Sequence, residues 1–168
     1  MRAAAAVMVT AAGLCIGLLR RDKLHRRVQI WTELCLFLRE VRLRTRLHEP
    51  LDAQIDALSE SRALEHLTFL RDCAAEIRAG RPLPQAWSSA VALCFRAQHL
   101  TRAQAKMLAQ WIPSLSAADS QRAEGLLELY ETRAAQALSE AEQTEASVGA
   151  LCVRVWFAVG LLLGILIL

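Results

Sequence analysis

Residues that favour sheets are scarce in the body of this chain. Between its two ends β-branched residues are few, and no segment alternates apolar with polar over a useful length, so strands have no support. The net charge is small, +3 over 168 residues, and gives no footing for nucleic acid. The five cysteines, Cys15, Cys35, Cys73, Cys94 and Cys152, are dispersed and odd in number. That excludes a disulfide framework, fits a reducing compartment, and leaves them as small buried hydrophobes. No Cys/His spacing suits zinc, and His25, His48, His66 and His99 share no ligand spacing. Phosphate-cradling glycine loops, nucleophile elbows and zinc-protease motifs are all missing, and no nucleophile has a base beside it. Glu140, Glu142 and Glu145 read as a solvated helix face. The expectation is a protein that is not an enzyme and that takes neither cofactor nor metal.

What the chain does have is two apolar ends. Val148 to Leu168 carries a single charge, Arg154, and as a helix it spans about 31 Å, close to the hydrocarbon thickness of a bilayer. Arg154 reaches the interface along its own stem, and Trp156 suits headgroup depth. A buried core helix is the competing reading. The first run, Ala3 to Leu19, is apolar apart from Thr10; a retained anchor is preferred there to a cleaved leader. Only Arg2 precedes this run, whereas Arg20, Arg21, Lys23, Arg26 and Arg27 follow it. Lys and Arg stay on the cytoplasmic side. The domain organisation expected is therefore a transmembrane helix over 1–19, a cytoplasmic helical bundle over 20–147, and a second transmembrane helix over 148–168. Both termini would lie outside the cytoplasm. Gly13 with Gly17, and Gly160 with Gly164, each form a G-x-x-x-G pair that permits close helix approach in lipid. They are the candidate membrane-packing residues, for docking of the two spans or for homo-oligomerisation.

Between the spans, Leu, Ala, Arg, Glu and Gln dominate, and these are helix formers. Leu24, Val28, Trp31, Cys35 and Leu38 mark the buried face of a helix over 22–47. Arg39, Arg42 and Arg46 form a basic stripe on another face, either solvated surface or a dock for an acidic partner or anionic lipid. His48-Glu49-Pro50 ends that helix, and Leu51, Ile55 and Leu58 pattern a short one. Ser61 is expected to cap a helix with Leu64, Leu67, Leu70, Cys73 or Ala74, and Ile77 on its apolar face, stopped at Gly80. Arg81-Pro82-Leu83-Pro84 is a stiff joint, with Pro84 opening the helix of Trp87, Val91, Cys94 and Phe95. Thr101 and Gln104 form a capping box for a helix that Pro113 should end. After the polar break Ser114–Asp119, an uninterrupted helical pattern leads through Leu126, Leu127, Tyr130, Ala134, Ala137, Leu138 and Ala141 into the second span. Trp31, Trp87 and Trp111 sit at apolar positions as core anchors. Pro50-Leu51-Asp52-Ala53-Gln54-Ile55 and Pro82-Leu83-Pro84-Gln85-Ala86-Trp87 rhyme as proline-leucine helix starts. The fold class expected is all-α: an antiparallel bundle of about six helices with one transmembrane helix at each end.

In order and spacing, several of these features together resemble the stage III sporulation protein AB family. They are the basic block after the first run, Pro50-Leu51, the stretch Gly80 to Trp87, the helix start at Leu100-Thr101, Ser116-Asp119-Gln121 leading to Leu126-Leu127-Glu128-Leu129-Tyr130, and the glycine-rich apolar end. The family usually has a glycine where Ser116 stands, and a shorter charged stretch before Pro50. The resemblance covers nearly the whole chain and implies two membrane spans around a helical cytoplasmic domain akin to that of type II secretion platform proteins. It implies a non-enzymatic scaffold in the sporulation channel complex joining mother cell and forespore, in the mother-cell membrane that surrounds the forespore. The partners it implies are the other stage III sporulation membrane proteins, their cytoplasmic ATPase and membrane lipid. Arg39, Arg42 and Arg46, with Pro82, Leu83, Pro84 and Trp87, are the candidate partner-binding residues. A small pore-forming or lipid-active protein, or an unrelated two-anchor adaptor, are the alternatives.

Overall fold

A computed structural model describes residues 2–95, 101–149, 155, 158 and 159; side chains are described from residue 11 onward, with gaps in 12–20 and at 94–100, 120, 149–154, 156–157 and 160–168. The described residues are all-α, with six α-helices and no strand. They are α1 (Arg2–Arg46), α2 (Leu51–Ser59), α3 (Thr68–Arg78), α4 (Leu83–Phe95), α5 (Arg102–Ser116) and α6 (Ser120–Thr144), with a 3-10 turn at Arg62–Leu64 and a π turn at Glu145–Gly149. The chain divides into two compact units, Gln29–Leu138 and the pair of segments Met1–Val28 with Ser139–Leu168. In the latter, His25 Nδ1 meets Glu145 Oε1 at 2.9 Å, at the start of the π turn.

In the Gln29–Leu138 unit the core follows the helical periods. α1 buries Ile30, Trp31, Leu34, Phe37, Leu38 and Val41, one face at spacings of three and four. α3 contributes Phe69, Leu70, Cys73 and Ala74, and α5 contributes Leu108, Trp111, Ile112 and Leu115. From α6 come Ala123, Leu127, Tyr130, Ala134 and Ala137, where alanines let the backbones approach. Trp87 of α4 is at the centre. It stacks on Phe37 with ring centroids 5.8 Å apart, meets Phe69 edge-on at 5.2 Å, and its indole N–H donates to the Leu108 carbonyl at 2.8 Å. Burying a tryptophan is worth about 4–6 kcal/mol gross at the usual coefficient per unit area, and here the polar end is also satisfied. The indole N–H groups of Trp31 and Trp111 meet no acceptor among the described residues; Trp111 instead stacks on Tyr130 at 5.3 Å.

Helix ends account for most of the layout. α1 and α3 stop in the same way. At the end of α3 the Gly80 N–H donates to Ile77 O and the Arg81 N–H to Glu76 O, with Gly80 at φ +86°. At the end of α1 the His48 N–H donates to Thr45 O and the Glu49 N–H to Arg44 O, with His48 at φ +59°. Buried Gln54 then fixes α2 beside this end, its amide donating to Glu49 O at 2.7 Å. Thr101 and Gln104 cap α5 reciprocally, as the sequence predicts. Asp119 opens α6, its Oδ1 accepting from the Arg122 N–H at 2.8 Å.

Four expectations need correction. The helix expected over 22–47 is the second part of one continuous helix, α1, with no break after Arg20. The helix expected from Ser61 is split. Ser61 caps only the 3-10 turn, and α3 starts at Thr68. The cause lies far away in sequence: Glu33 of α1 accepts the backbone N–H of His66 at 2.9 Å, diverting it from helical pairing, and also meets its ring Nδ1. Pro113 does not end α5, which runs three residues further to Ser116. Leu115 is buried on the same stripe as Leu108, Trp111 and Ile112, and that contact outweighs one missing hydrogen bond. The pattern beyond α6 is not uninterrupted α-helix, because Glu145–Gly149 widens into the π turn. Thr144 and Ser147, near this junction, donate their hydroxyls to Glu140 O and Gln143 O, a side-chain bond that locally competes with the ladder.

Among the described residues, no helix is long and apolar enough to cross a membrane. Most side chains of the first apolar run and nearly all residues of the second lie outside them.

Candidate functional site

The basic stripe lies on the last three turns of α1. It is largely consumed within the chain. Arg42 Nη1 donates to Glu131 Oε2 at 2.8 Å, and Arg46 grips Glu124 Oε1 through Nη2 at 2.6 Å and Nε at 3.0 Å. Arg46 thereby holds the Glu124 carboxyl below the usual carboxylate range, by hydrogen bond first and by charge second. Arg42, Thr45, Arg46, His48, Gln121, Glu124 and Leu127 line an open hollow of about 390 Å3. Its guanidinium groups already face carboxylates, so little positive potential is left to draw an anion. Arg39 alone of the three is exposed without an ion pair among the described residues.

A second hollow, of about 490 Å3, is floored by the proline joint. Leu51 and Asp52 line it from α2, Ile77, Gly80 and Arg81 from the end of α3, Pro82, Leu83 and Pro84 from the start of α4, and Ser116 from α5. The two rhyming proline-leucine starts therefore contribute to one surface, which the sequence alone could not establish. Pro82 is exposed, and Leu83 and Pro84 are half-buried. Trp87 is wholly buried in the core and offers nothing to a docking partner. Two fixed-φ residues hold the rim stiffly, and a rigid, mostly apolar rim with few charges suits a protein surface better than a small charged ligand.

The chemistry-bearing side chains are dispersed. Cys73 is buried, and its thiol is pushed up to about 12, by desolvation first and by the Glu76 carboxylate second, so it stays protonated and inert at neutral pH. Cys15 is exposed and Cys35 half-buried. Cys152, His99 and the Cys94 side chain lie outside the described residues. Among the described residues no three His, Cys, Asp or Glu side chains come together as metal ligands. The Glu33–His66 pair, missed in the sequence because 33 residues separate its members, holds the turn before α3. Gly13 and Gly17 lie in α1, while Gly160 and Gly164 lie outside the described residues.

No curated protein and no solved structure matches this chain. One family model does, over residues 2–168, and with the all-helical body and the ordered joints above it identifies the chain as a member of the stage III sporulation protein AB family, a protein of sporulation.

Proposed function

We propose that the chain is a non-enzymatic scaffold of the channel complex that joins mother cell and forespore, anchored in the mother-cell membrane by 1–19 and 148–168, with both termini outside the cytoplasm. The observation that carries the reading is the family match from residue 2 to residue 168, which takes in both apolar runs as well as the helical body. The run of Ala3 to Leu19, the basic block Arg20 to Arg27 and the near-uncharged Val148 to Leu168 supply the physics of insertion and orientation. The body is the part that grips partners, the first of them the complex's cytoplasmic ATPase, in the manner of a type II secretion platform. Because Arg42 and Arg46 are engaged with Glu131 and Glu124, the docking surface is the rigid hollow of Leu51, Asp52, Arg81, Pro82, Leu83 and Pro84.

Membrane insertion is tested by fractionating cells that carry the full chain. It should stay in the pellet through alkaline carbonate, and its body should be cut by protease only after the cytoplasmic side is opened. Release by carbonate, or a body cleaved from outside, overturns the topology. Docking is tested by cross-linking the ATPase to the full chain in sporulating cells. Pro82→Glu should abolish the cross-link while leaving chain level and membrane fraction unchanged. A cross-link that survives this change removes the hollow from consideration.

A further inference from the structure

Over its last turns α1 buries one face and exposes large apolar side chains on the opposite one. Leu36 and Leu43 are 36% and 51% exposed and seven residues apart, so they lie on one stripe of α1 opposite Trp31, Leu34, Phe37, Leu38 and Val41, and Leu47, 79% exposed, follows four residues later in the turn that closes the helix. Single exposed leucines need no explanation, but an aligned row on a helix already committed to the core does. The charges beside the row are asymmetric. Arg39, three residues beyond Leu36, falls on one flank, and Glu40, four residues beyond, falls on the other. Neither makes an ion pair among the described residues.

We infer that this outer face at the end of α1, from Leu36 through the closing turn at Leu47, is a contact between two copies of the chain whose α1 helices run parallel. In a two-fold pair of parallel helices each flank meets the opposite flank of its partner. Arg39 of each copy then stands against Glu40 of the other, within one residue of the same height, and the two ion pairs bracket the leucine row. An antiparallel two-fold sets each flank against itself, so Arg39 of one copy can no longer meet Glu40 of the other. The charges thus select both the occupant, a second copy, and its direction. The inference draws on the Gln29–Leu138 unit alone and does not depend on the membrane reading or on ATPase docking.

The test is the protein mass of the purified full-length chain in detergent, by light scattering and sedimentation. The native chain should be a dimer. Arg39→Glu sets carboxylate on carboxylate, Glu40→Arg sets guanidinium on guanidinium, and each alone should weaken association by about tenfold. The double exchange Arg39→Glu/Glu40→Arg restores opposite charges and should restore the dimer. Both residues avoid the core, so helix content and melting of each variant should match the native chain and rule out misfolding. A monomeric native chain overturns the inference. So do single reversals that stay dimeric, as an antiparallel contact or one through the apolar runs would give, and so does a double exchange that fails to rescue.

Discussion

His48 and Gly80 hold the same place at the ends of α1 and α3, with the same pair of backbone bonds closing each helix. A residue with a Cβ pays roughly 1 kcal/mol or more in the left-handed region, and glycine does not. His48→Gly should therefore stabilise the fold by about 0.5–1 kcal/mol, although it removes a side chain from the rim of a hollow. Gly80→Ala should destabilise by about 1 kcal/mol, and for the backbone alone, because a Cβ built there meets no atom within 4 Å. Denaturant midpoints of the two variants should move in opposite directions with unchanged slopes. The glycine stop was legible in the sequence because glycine announces itself. The stop at His48-Glu49-Pro50 was legible too, but its signal came from Pro50 and said nothing about which residue turns left-handed.

At the scale of elements, what could be read was whatever a helix carries in itself. The capping box at Thr101 needed no knowledge of neighbours, and the structure has it. The split at Ser61–Leu67 depends on Glu33, and the continuation past Pro113 depends on what Leu115 is buried against, so neither could be seen locally. The basic stripe belongs to the same class. Its spacing was visible, but its neutralisation by Glu124 and Glu131 required α6 to lie alongside α1. The Arg42–Glu131 pair, each side chain about one quarter exposed, joins these two helices across 89 residues of sequence. A double-mutant cycle with Arg42→Ala and Glu131→Ala should give a coupling of about 1 kcal/mol that shrinks in high salt. A coupling indistinguishable from zero at low salt would mean that packing alone holds α6 in place. Acid acts on the neighbouring pair in a known direction: Glu124 is held below its ordinary range, so the contribution of its bond to Arg46 is complete at neutral pH. That contribution fades as pH falls through the lowered value.

For the whole molecule, the buried aromatic side chains among the described residues all fall in the Gln29–Leu138 unit. Trp31, Trp87 and Trp111 are all among the least exposed side chains, and each belongs to the Gln29–Leu138 unit. The fourth tryptophan, Trp156, falls in the second apolar run. A fragment of residues 20–147 therefore reports through three buried indoles and no other. Its core joins α1, α3 and α4 through the rings of Phe37, Phe69 and Trp87, and α5 to α6 through Trp111 and Tyr130. The Trp87 N–H on Leu108 O then links the two clusters. With the aromatic groups connected in this way, losing one helix exposes rings on its neighbours, and partial unfolding gains little. The fragment should emit at the blue end of the tryptophan range and resist quenching by iodide. In urea its fluorescence and its helical circular dichroism should change together in one transition. Two separated transitions would show that the two clusters fold independently. Red-shifted emission before any denaturant is added would show that the helical body needs the apolar runs to hold its core.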